Sequence, residues 1–473
     1  MNSGAEVLSL KSAALAHWNL GQALAGQGEH ERAVRAFEVA LAGNRHMDVL
    51  YHRGLSLLAL GRFPLAERDM SDVLERMPEW ADAWYNRGVA RFRQNDLAGA
   101  AEDFRAALAL QPDYARAAVG LGETCYRVGR LREAARSLLR AVRLRPGDAN
   151  AWFCLGKVTA RRAPRMAAGC FTRALEIDGA NAAALTLRGK ALATLGREGD
   201  ALCDFARAIE MTPDHAPAYA HRSSLRLARG DEAGAIQDAE CALRVQPDSA
   251  LALCNRGVAQ MARGEYSQAL ADFDRALVID PRNVRALNNR GAVTLHLRGA
   301  AAAMPDFDRA IALHPAYAEA YFNRAVAREQ LGDFLGALGD HDRVLALRPL
   351  DAEARLGRAA LLEATGDLEG SASEYRRLLA VDPDHVAGRF NLALLRRRQR
   401  DYRAAAEEFS RLLESHPDHA EALYYRAETF GLLGDEAAAL ADLRRLAVLP
   451  CRIALREKAE RDLRWYEGRV IKE

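Results

Sequence analysis

Six asparagines occupy one position of a repeated segment, and three of them are spaced 34 residues apart. An asparagine side chain carries two N–H donors and one carbonyl acceptor, which match the N–H and C=O groups of an extended peptide backbone. We therefore predict a surface that binds polypeptide backbone, with a ladder of the first three amides at its centre. The six residues are Asn255, Asn289, Asn323, Asn86, Asn19 and Asn391.

Charged and aromatic residues recur on the same predicted face. Tyr85, Phe153 and Phe322 share one repeat position, which suits the apolar side chains of an extended or helical segment. An equally consistent interpretation is that this position is partly buried against the next repeat. Basic residues in repeats 3–6 and glutamates in later repeats predict a face that is basic toward the N-terminus and acidic toward the C-terminus. Such a charge gradient would orient a bound chain. The basic residues are Arg93, Arg116, Arg127, Lys157, Arg161 and Lys190.

Catalytic motifs are absent from the sequence. It contains no G-x-S-x-G, no H-E-x-x-H and no phosphate-binding G-x-x-x-x-G-K-[ST] segment, and its seven cysteines form no C-x-x-C pair. His416 and His419 lack the partners of a metal site. We expect no enzyme, no catalytic residue, no metal and no cofactor.

Composition excludes other classes of partner. The formal net charge is +2, and no run of 18 apolar residues exists, so neither nucleic acid nor membrane is predicted as a partner. The arginine-rich stretch 396–403 surrounds a turn between helices, which favours a solvated turn over a nucleic-acid-binding surface. Residues 1–10 show no secretory signal, which predicts a cytoplasmic protein. The sequence does not define the oligomeric state.

The helices that position these residues are predicted from a segment that repeats at a fixed length. Repeats begin at residues 14, 47, 81, 115, 149, 182, 216, 250, 284, 318, 352, 386 and 420, and ten of the 15 prolines fall at position 32 of a repeat. Within each repeat the apolar spacing is helical over positions 1–14 and about 16–29. Glycine at position 15 supplies the turn, and proline at 32 ends the second helix. Stacked helix pairs are therefore expected.

The recurring pattern resembles that of the tetratricopeptide repeat family, most clearly from Trp84 to Pro112 and from Tyr321 to Pro349. The resemblance implies an all-α, right-handed superhelical solenoid of antiparallel helix pairs, whose first helices line a concave groove. It also implies a groove similar to that of the O-linked N-acetylglucosamine transferases, where asparagines hold substrate backbone, here without a catalytic domain.

The sequence divides into an N-terminal extension or cap (1–13), thirteen tandem repeats (14–453) and a C-terminal capping helix (454–473). The fifth repeat is one residue short near Pro164, and Pro305 should delay or kink the second helix of the ninth. We predict a scaffold that binds extended or helical segments, including acidic ones, of one or more partner proteins. The alternative is a non-catalytic regulatory or targeting subunit of a separately encoded enzyme, such as a glycosyltransferase.

Overall fold

The computed structural model describes residues 3–42, 46–450 and 452–470, and in this part of the chain all regular structure is α-helix, in 27 helices. Consecutive helices pack in pairs, and within residues 1–247 and within residues 248–473 each pair contacts the next. The predicted all-α solenoid is confirmed. The chain separates into two compact units, residues 1–247 (unit 1) and 248–473 (unit 2). No described helix combines the length and apolar composition needed to cross a membrane.

Unit 1 contains the first seven repeats. Their first helices are α1 Ser3–Gly26, α3 Met47–Ala59, α5 Ala81–Arg93, α7 Ala115–Arg127, α9 Ala149–Thr159, α11 Ala182–Thr194 and α13 Ala216–Ala228. Their second helices are α2 His30–Leu41, α4 Phe63–Arg76, α6 Leu97–Leu110, α8 Leu131–Leu144, α10 Pro164–Ile177, α12 Glu198–Met211 and α14 Glu232–Val245.

Unit 2 contains six repeats and a terminal helix. The first helices are α15 Ala250–Ala262, α17 Val284–Arg298, α19 Ala318–Gln330, α21 Ala352–Ala364, α23 Val386–Arg398 and α25 Ala420–Leu433. The second helices are α16 Tyr266–Ile279, α18 Ala300–Leu313, α20 Phe334–Leu347, α22 Leu368–Val381, α24 Tyr402–Ser415 and α26 Glu436–Ala447. The last helix, α27 Ile453–Val470, packs on α26 where the sequence analysis places a cap; residues 471–473 of that cap lie outside the described residues.

In most repeats the turn between the two helices has a left-handed residue at position 15, whereas repeat 9 has it at position 16 (Gly299) and Ala163 of repeat 5 has φ −140°. Gly129 has φ 84° and Gly264 has φ 77°. Where the repeat lacks glycine, Asn95 and Arg400 still adopt φ 67° and 64°. The turn geometry is thus kept even where a side chain makes it costly.

The two helices of a repeat approach closely because a small residue faces an aromatic one. A Cβ on Gly88 would lie 2.9 Å from the ring of Phe104, and one on Gly291 would lie 2.6 Å from Phe307. Phe307 is completely buried. In the repeats that have an aromatic residue here, the core therefore contains a buried ring packed against a helix backbone, as the glycine and aromatic periodicity predicts, whereas Met70 and Leu138 take this place in repeats 2 and 4.

Consecutive repeats are also joined through a proline carbonyl. The indole of Trp84 donates to the carbonyl of Pro78 at 2.7 Å, and Trp152 donates to Pro146 at 2.8 Å. In repeat 11, Arg355 supplies the donor to the carbonyl of Pro349 at 2.6 Å. Position 4 of a repeat thus satisfies an acceptor at the end of the preceding repeat.

Repeats 9 and 5 depart from the common sequence pattern, and the effect on their helices differs. Helix α18 begins at Ala300, which is position 17, the same position as in most other repeats, so the predicted delay caused by Pro305 is wrong. Gly299, with φ 86°, starts the helix, and Pro305 is accommodated inside it. In repeat 5 the missing residue shortens α9 to 11 residues, and Pro164 opens α10.

Candidate functional site

A pocket of about 300 Å³ opens between α5 and α7, on the first-helix face of unit 1. Positions 5, 9, 12 and 13 of α5 meet positions 2, 5, 6 and 9 of α7 there, because residues three and four apart share one side of a helix. We name it the repeat-3 pocket. Its lining residues are Tyr85, Val89, Phe92, Arg93, Phe104, Arg116, Val119, Gly120, Glu123, Asp148 and Asn150.

The pocket has apolar walls and a charged rim. The ring centres of Tyr85 and Phe104 lie 5.8 Å apart, and Tyr85 is half-buried. Arg93 and Arg116 are exposed, whereas Glu123 and Asp148 supply opposite charge at the edge. The structure therefore brings together three predicted site residues, Tyr85, Arg93 and Arg116.

Cations lie over aromatic rings next to the pocket. The ammonium of Lys157 is 5.4 Å from the ring centre of Tyr126 and 5.6 Å from that of Phe153. The Arg127 guanidinium is 4.9 Å from the ring centre of Phe92 and donates to the Asn95 side chain at 2.9 Å. A cation in such a position is attracted by the ring quadrupole. This face can therefore offer apolar surface and positive charge at the same place.

A polar cluster lies on the N-terminal side of the pocket. Tyr51 stacks on Trp80 with ring centres 4.4 Å apart, and Tyr114 donates to Asp82 at 2.5 Å. Burial, with the nearby charge of Asp82, raises the pKa of Tyr51 to about 12. Asn86 donates to Tyr51 at 3.0 Å and to the carbonyl of Asp82 at 2.8 Å. Both contacts use the amide nitrogen of Asn86, which leaves its oxygen as the acceptor for a ligand.

The predicted asparagine ladder needs a correction at one residue. Asn255 is fully buried, so its amide does not reach the surface. Asn289 and Asn323 are half-buried, and Asn288 links them: Asn323 donates to Asn288 at 2.9 Å, and Asn288 donates to Asn289 at 3.3 Å. Neighbouring repeats cover position 6 to different extents, which the period does not reveal.

The remaining predicted residues are dispersed. Asn19, Arg161 and Lys190 are exposed on α1, near the end of α9 and on α11, outside the repeat-3 pocket. Asn391 is half-buried beside Tyr375. Phe322 packs edge-on against the buried His341, with ring centres 5.7 Å apart, as the alternative interpretation of that position expects.

The acidic face expected in unit 2 is partly neutralised. Glu363 pairs with Arg398 at 2.9 Å and Glu428 pairs with Arg397 at 3.0 Å. Glu319 pairs with Arg348. Arg397 and Arg398 belong to the first helix of repeat 12 and pair with glutamates of the two adjacent repeats, whereas Arg348 pairs with a glutamate of its own repeat.

Sequence reasoning missed another periodic feature. An arginine at position 7 of a repeat is followed by an aspartate 16 residues later. In repeat 3, Arg87 contacts both carboxylate oxygens of Asp103, at 3.1 and 2.8 Å. Burial raises the pKa of Asp103 above its ordinary value, and the bonds from Arg87 oppose that shift. The spacing itself was the available signal. The pairs are Arg53–Asp69, Arg87–Asp103, Arg188–Asp204, Arg222–Asp238, Arg256–Asp272, Arg290–Asp306, Arg324–Asp340 and Arg426–Asp442.

Family models described as "Tetratricopeptide repeat" match most of the chain. One matches residues 5–46, 51–115, 157–216, 295–342, 331–386 and 390–452, and two others match residues 250–283 and 91–153. The chain belongs to the tetratricopeptide repeat family. Such repeats are protein-interaction modules and generally non-catalytic. A search of curated proteins gives no match.

Three solved structures are similar to this chain. The Cut9–Hcn1 hetero-tetramer of the APC/C is similar, with 14% identity, a TM-score of 0.51 and coverage of 96% of this chain and 97% of that chain. YrrB, described as a TPR protein with an unusual peptide-binding site, has 26% identity and a TM-score of 0.35 over 39% of this chain and 95% of its own. A repeat protein from Parabacteroides merdae has 20% identity and a TM-score of 0.40 over 53% and 98%.

Proposed function

We propose that this tetratricopeptide repeat protein is a non-catalytic scaffold that binds a segment of a partner protein along the first-helix face of repeats 3–5. The repeat-3 pocket is the observation that supports the proposal. It combines apolar walls from Tyr85 and Phe92 with the exposed guanidinium groups of Arg93 and Arg116. Buried aromatic anchors with a charged rim are the usual composition of an energetically dominant contact.

The chemistry of the pocket indicates a partner segment with one apolar side chain flanked by acidic residues. A side chain the size of leucine fits a volume of about 300 Å³. Carboxylates on either side would contact Arg93 and Arg116 and extend toward Lys157. Arg93 and Arg116 would disfavour basic partners, whereas Glu123 and Asp148 would repel a carboxylate placed next to them, so the charge pattern supplies selectivity and speeds the encounter.

Site-specific crosslinking tests this proposal. A photoreactive amino acid at Arg93 should capture a partner from a lysate of the source organism, whereas the same group at Arg68, exposed on the second helix of repeat 2, should not. The crosslinked segment of the partner, made as a peptide, should bind the R93S/R116S protein at least about tenfold more weakly. The control R68S/R309S should bind it as the wild type does. Equal crosslinking at the two positions, or normal binding by R93S/R116S, would refute the proposal.

The captured protein also distinguishes scaffold from targeting subunit. A partner with its own catalytic domain that copurifies in fixed ratio would indicate the targeting role. Several unrelated partners that share only the apolar and acidic segment would indicate the scaffold.

A further inference from the structure

Positive charge is concentrated in repeats 4 and 5 of unit 1. Residues 127–173 contain twelve basic and two acidic residues, although the net charge of the whole chain is only +2. Several of these residues lie on the second helices and not on the first-helix face that carries the repeat-3 pocket. The second-helix face of these repeats is therefore a separate candidate surface.

Four arginines form a stripe along α8. Arg132, Arg136, Arg140 and Arg143 are all exposed and follow the spacing of one helix face. Arg140 donates to the carbonyl of Pro112, and in the described part of the chain the other three form no ion pair. Like charges at this spacing repel each other on a helix, so the stripe does not stabilise the fold.

A cleft of about 1090 Å³ adjoins the stripe, between α8, α10 and α12. Leu139 forms its α8 wall, and this residue lies between Arg136 and Arg143 on the helix surface. Arg165 and Arg173 are at the α10 edge, where Arg173 pairs with Glu176, and the side toward α11 and α12 carries the ion pairs Arg188–Asp204 and Arg197–Asp200. We name this the α10 cleft. Its apolar lining includes Leu139, Trp152, Leu155, Met166, Leu192 and Leu195.

The irregular fifth repeat explains why the bottom of the cleft is apolar. Where eight other repeats have the arginine–aspartate pair, repeat 5 has Leu155 and Cys170, both buried at the bottom of the cleft. Gly169 lies in the middle of α10, and a Cβ there would meet nothing within 4 Å. Packing does not require this glycine, which costs a helix about 1 kcal/mol relative to alanine. Its missing side chain leaves the cleft wider.

We propose that the α8 stripe and the α10 cleft together bind an acidic segment of a partner protein, with its carboxylates on the arginines and its apolar side chains in the cleft. Arginine pairs well with carboxylates because of its planar fork of donors. The lining of the cleft favours a peptide over nucleic acid, because its apolar residues are mostly aliphatic and suit leucine-like side chains, whereas bases stack on aromatic rings and Trp152 is the aromatic residue in this lining. This inference does not depend on the repeat-3 pocket, which uses the first helices.

Three labelled probes test the inference by fluorescence anisotropy on the full chain at physiological salt. The first is a helical peptide of about 18 residues with glutamate and leucine at i, i+3 and i+4 spacing. The second replaces each leucine by serine, and the third is single-stranded oligothymidine of similar charge. The leucine peptide should bind at least about tenfold more tightly than the serine peptide and the oligonucleotide. Similar affinities for the two peptides, or tighter binding of the oligonucleotide, would overturn the proposal.

Variants locate the binding on the molecule. R136S/R143S should lower the affinity for the leucine peptide at least about tenfold, whereas R68S/R309S, with the same charge change elsewhere on second helices, should alter it less than about twofold. G169L should place a side chain in the cleft beside Leu155 and Cys170 and lower the affinity for the leucine peptide at least about tenfold. Circular dichroism of each variant should match the wild type. Wild-type affinity in R136S/R143S or G169L would overturn the proposal, as would a wild-type dimer in sedimentation that R136S/R143S dissociates.

Discussion

Arg324 shows how one side chain can hold two repeats. It donates to both oxygens of Asp340 in its own repeat, at 2.9 and 2.7 Å, and to Asp308 of the preceding repeat at 2.6 Å. The Asp340 side chain is 4% exposed and that of Asp308 is 53% exposed. The two contacts should therefore differ in energy, because solvent screens only the second strongly.

Replacing the buried aspartate should be far more damaging than replacing the exposed one. D340A leaves Arg324 and Arg328 without their shared partner and should lower the local free energy of unfolding by about 3–5 kcal/mol. D308A should lower it by less than about 1 kcal/mol. Hydrogen exchange across residues 318–347 measures both. Equal effects of the two variants would show that burial does not control this pair.

Burial should also protect most of the described thiols. It raises the pKa of Cys154, Cys170 and Cys254 to about 11 from the ordinary 9.0, which lowers the thiolate fraction near pH 8 about a hundredfold. Cys203 is exposed. In native protein, iodoacetamide should therefore modify Cys203 first, as mass spectrometry of peptides would show. Equally rapid modification of Cys154 would contradict the packing of repeat 5.

At the scale of the helix, Pro305 is the residue whose type least suits its secondary structure. It lies inside α18 and is exposed, so it removes a helical hydrogen bond without a packing contribution. P305A should raise the stability of repeat 9 by about 1–3 kcal/mol, less than the full cost of an interior proline because the unfolded chain also gains freedom.

Urea unfolding followed by circular dichroism measures the effect of P305A. The matched control is P281A, which changes the proline between repeats 8 and 9 and should give no gain in stability. A lower midpoint for P305A would mean that this proline is favourable where it lies.

For the whole molecule, the two compact units imply unfolding in more than one step. Each repeat contacts mainly its neighbours, so stability is a sum of local terms. Trp18, Trp80, Trp84 and Trp152 belong to unit 1, and Trp465 belongs to unit 2. In W465F protein, the tryptophan fluorescence therefore reports on unit 1 alone. Its urea transition should not coincide with the circular dichroism transition of the whole chain, and coincidence would indicate one cooperative unit.

The fold was predictable because the residues that determine it recur at a fixed spacing. Glycine at position 15, the aromatic at 24 and proline at 32 each have one local physical role, and each repeats. Burial at the candidate site was not predictable in the same way. Asn255 and Asn289 have equivalent positions, but only the first is completely buried, because packing from neighbouring repeats decides exposure. The pairing of Glu363 with Arg398 likewise depends on a neighbouring repeat.

The donor to the proline carbonyl has an evolutionary consequence. Trp84 and Arg355 differ in size, charge and aromaticity, yet each places an N–H group against the carbonyl that ends the preceding repeat. The codon for tryptophan becomes an arginine codon by one base change. A single mutation can therefore exchange the two residues and keep this link, so repeats can diverge here by a step that ordinary similarity scoring treats as radical.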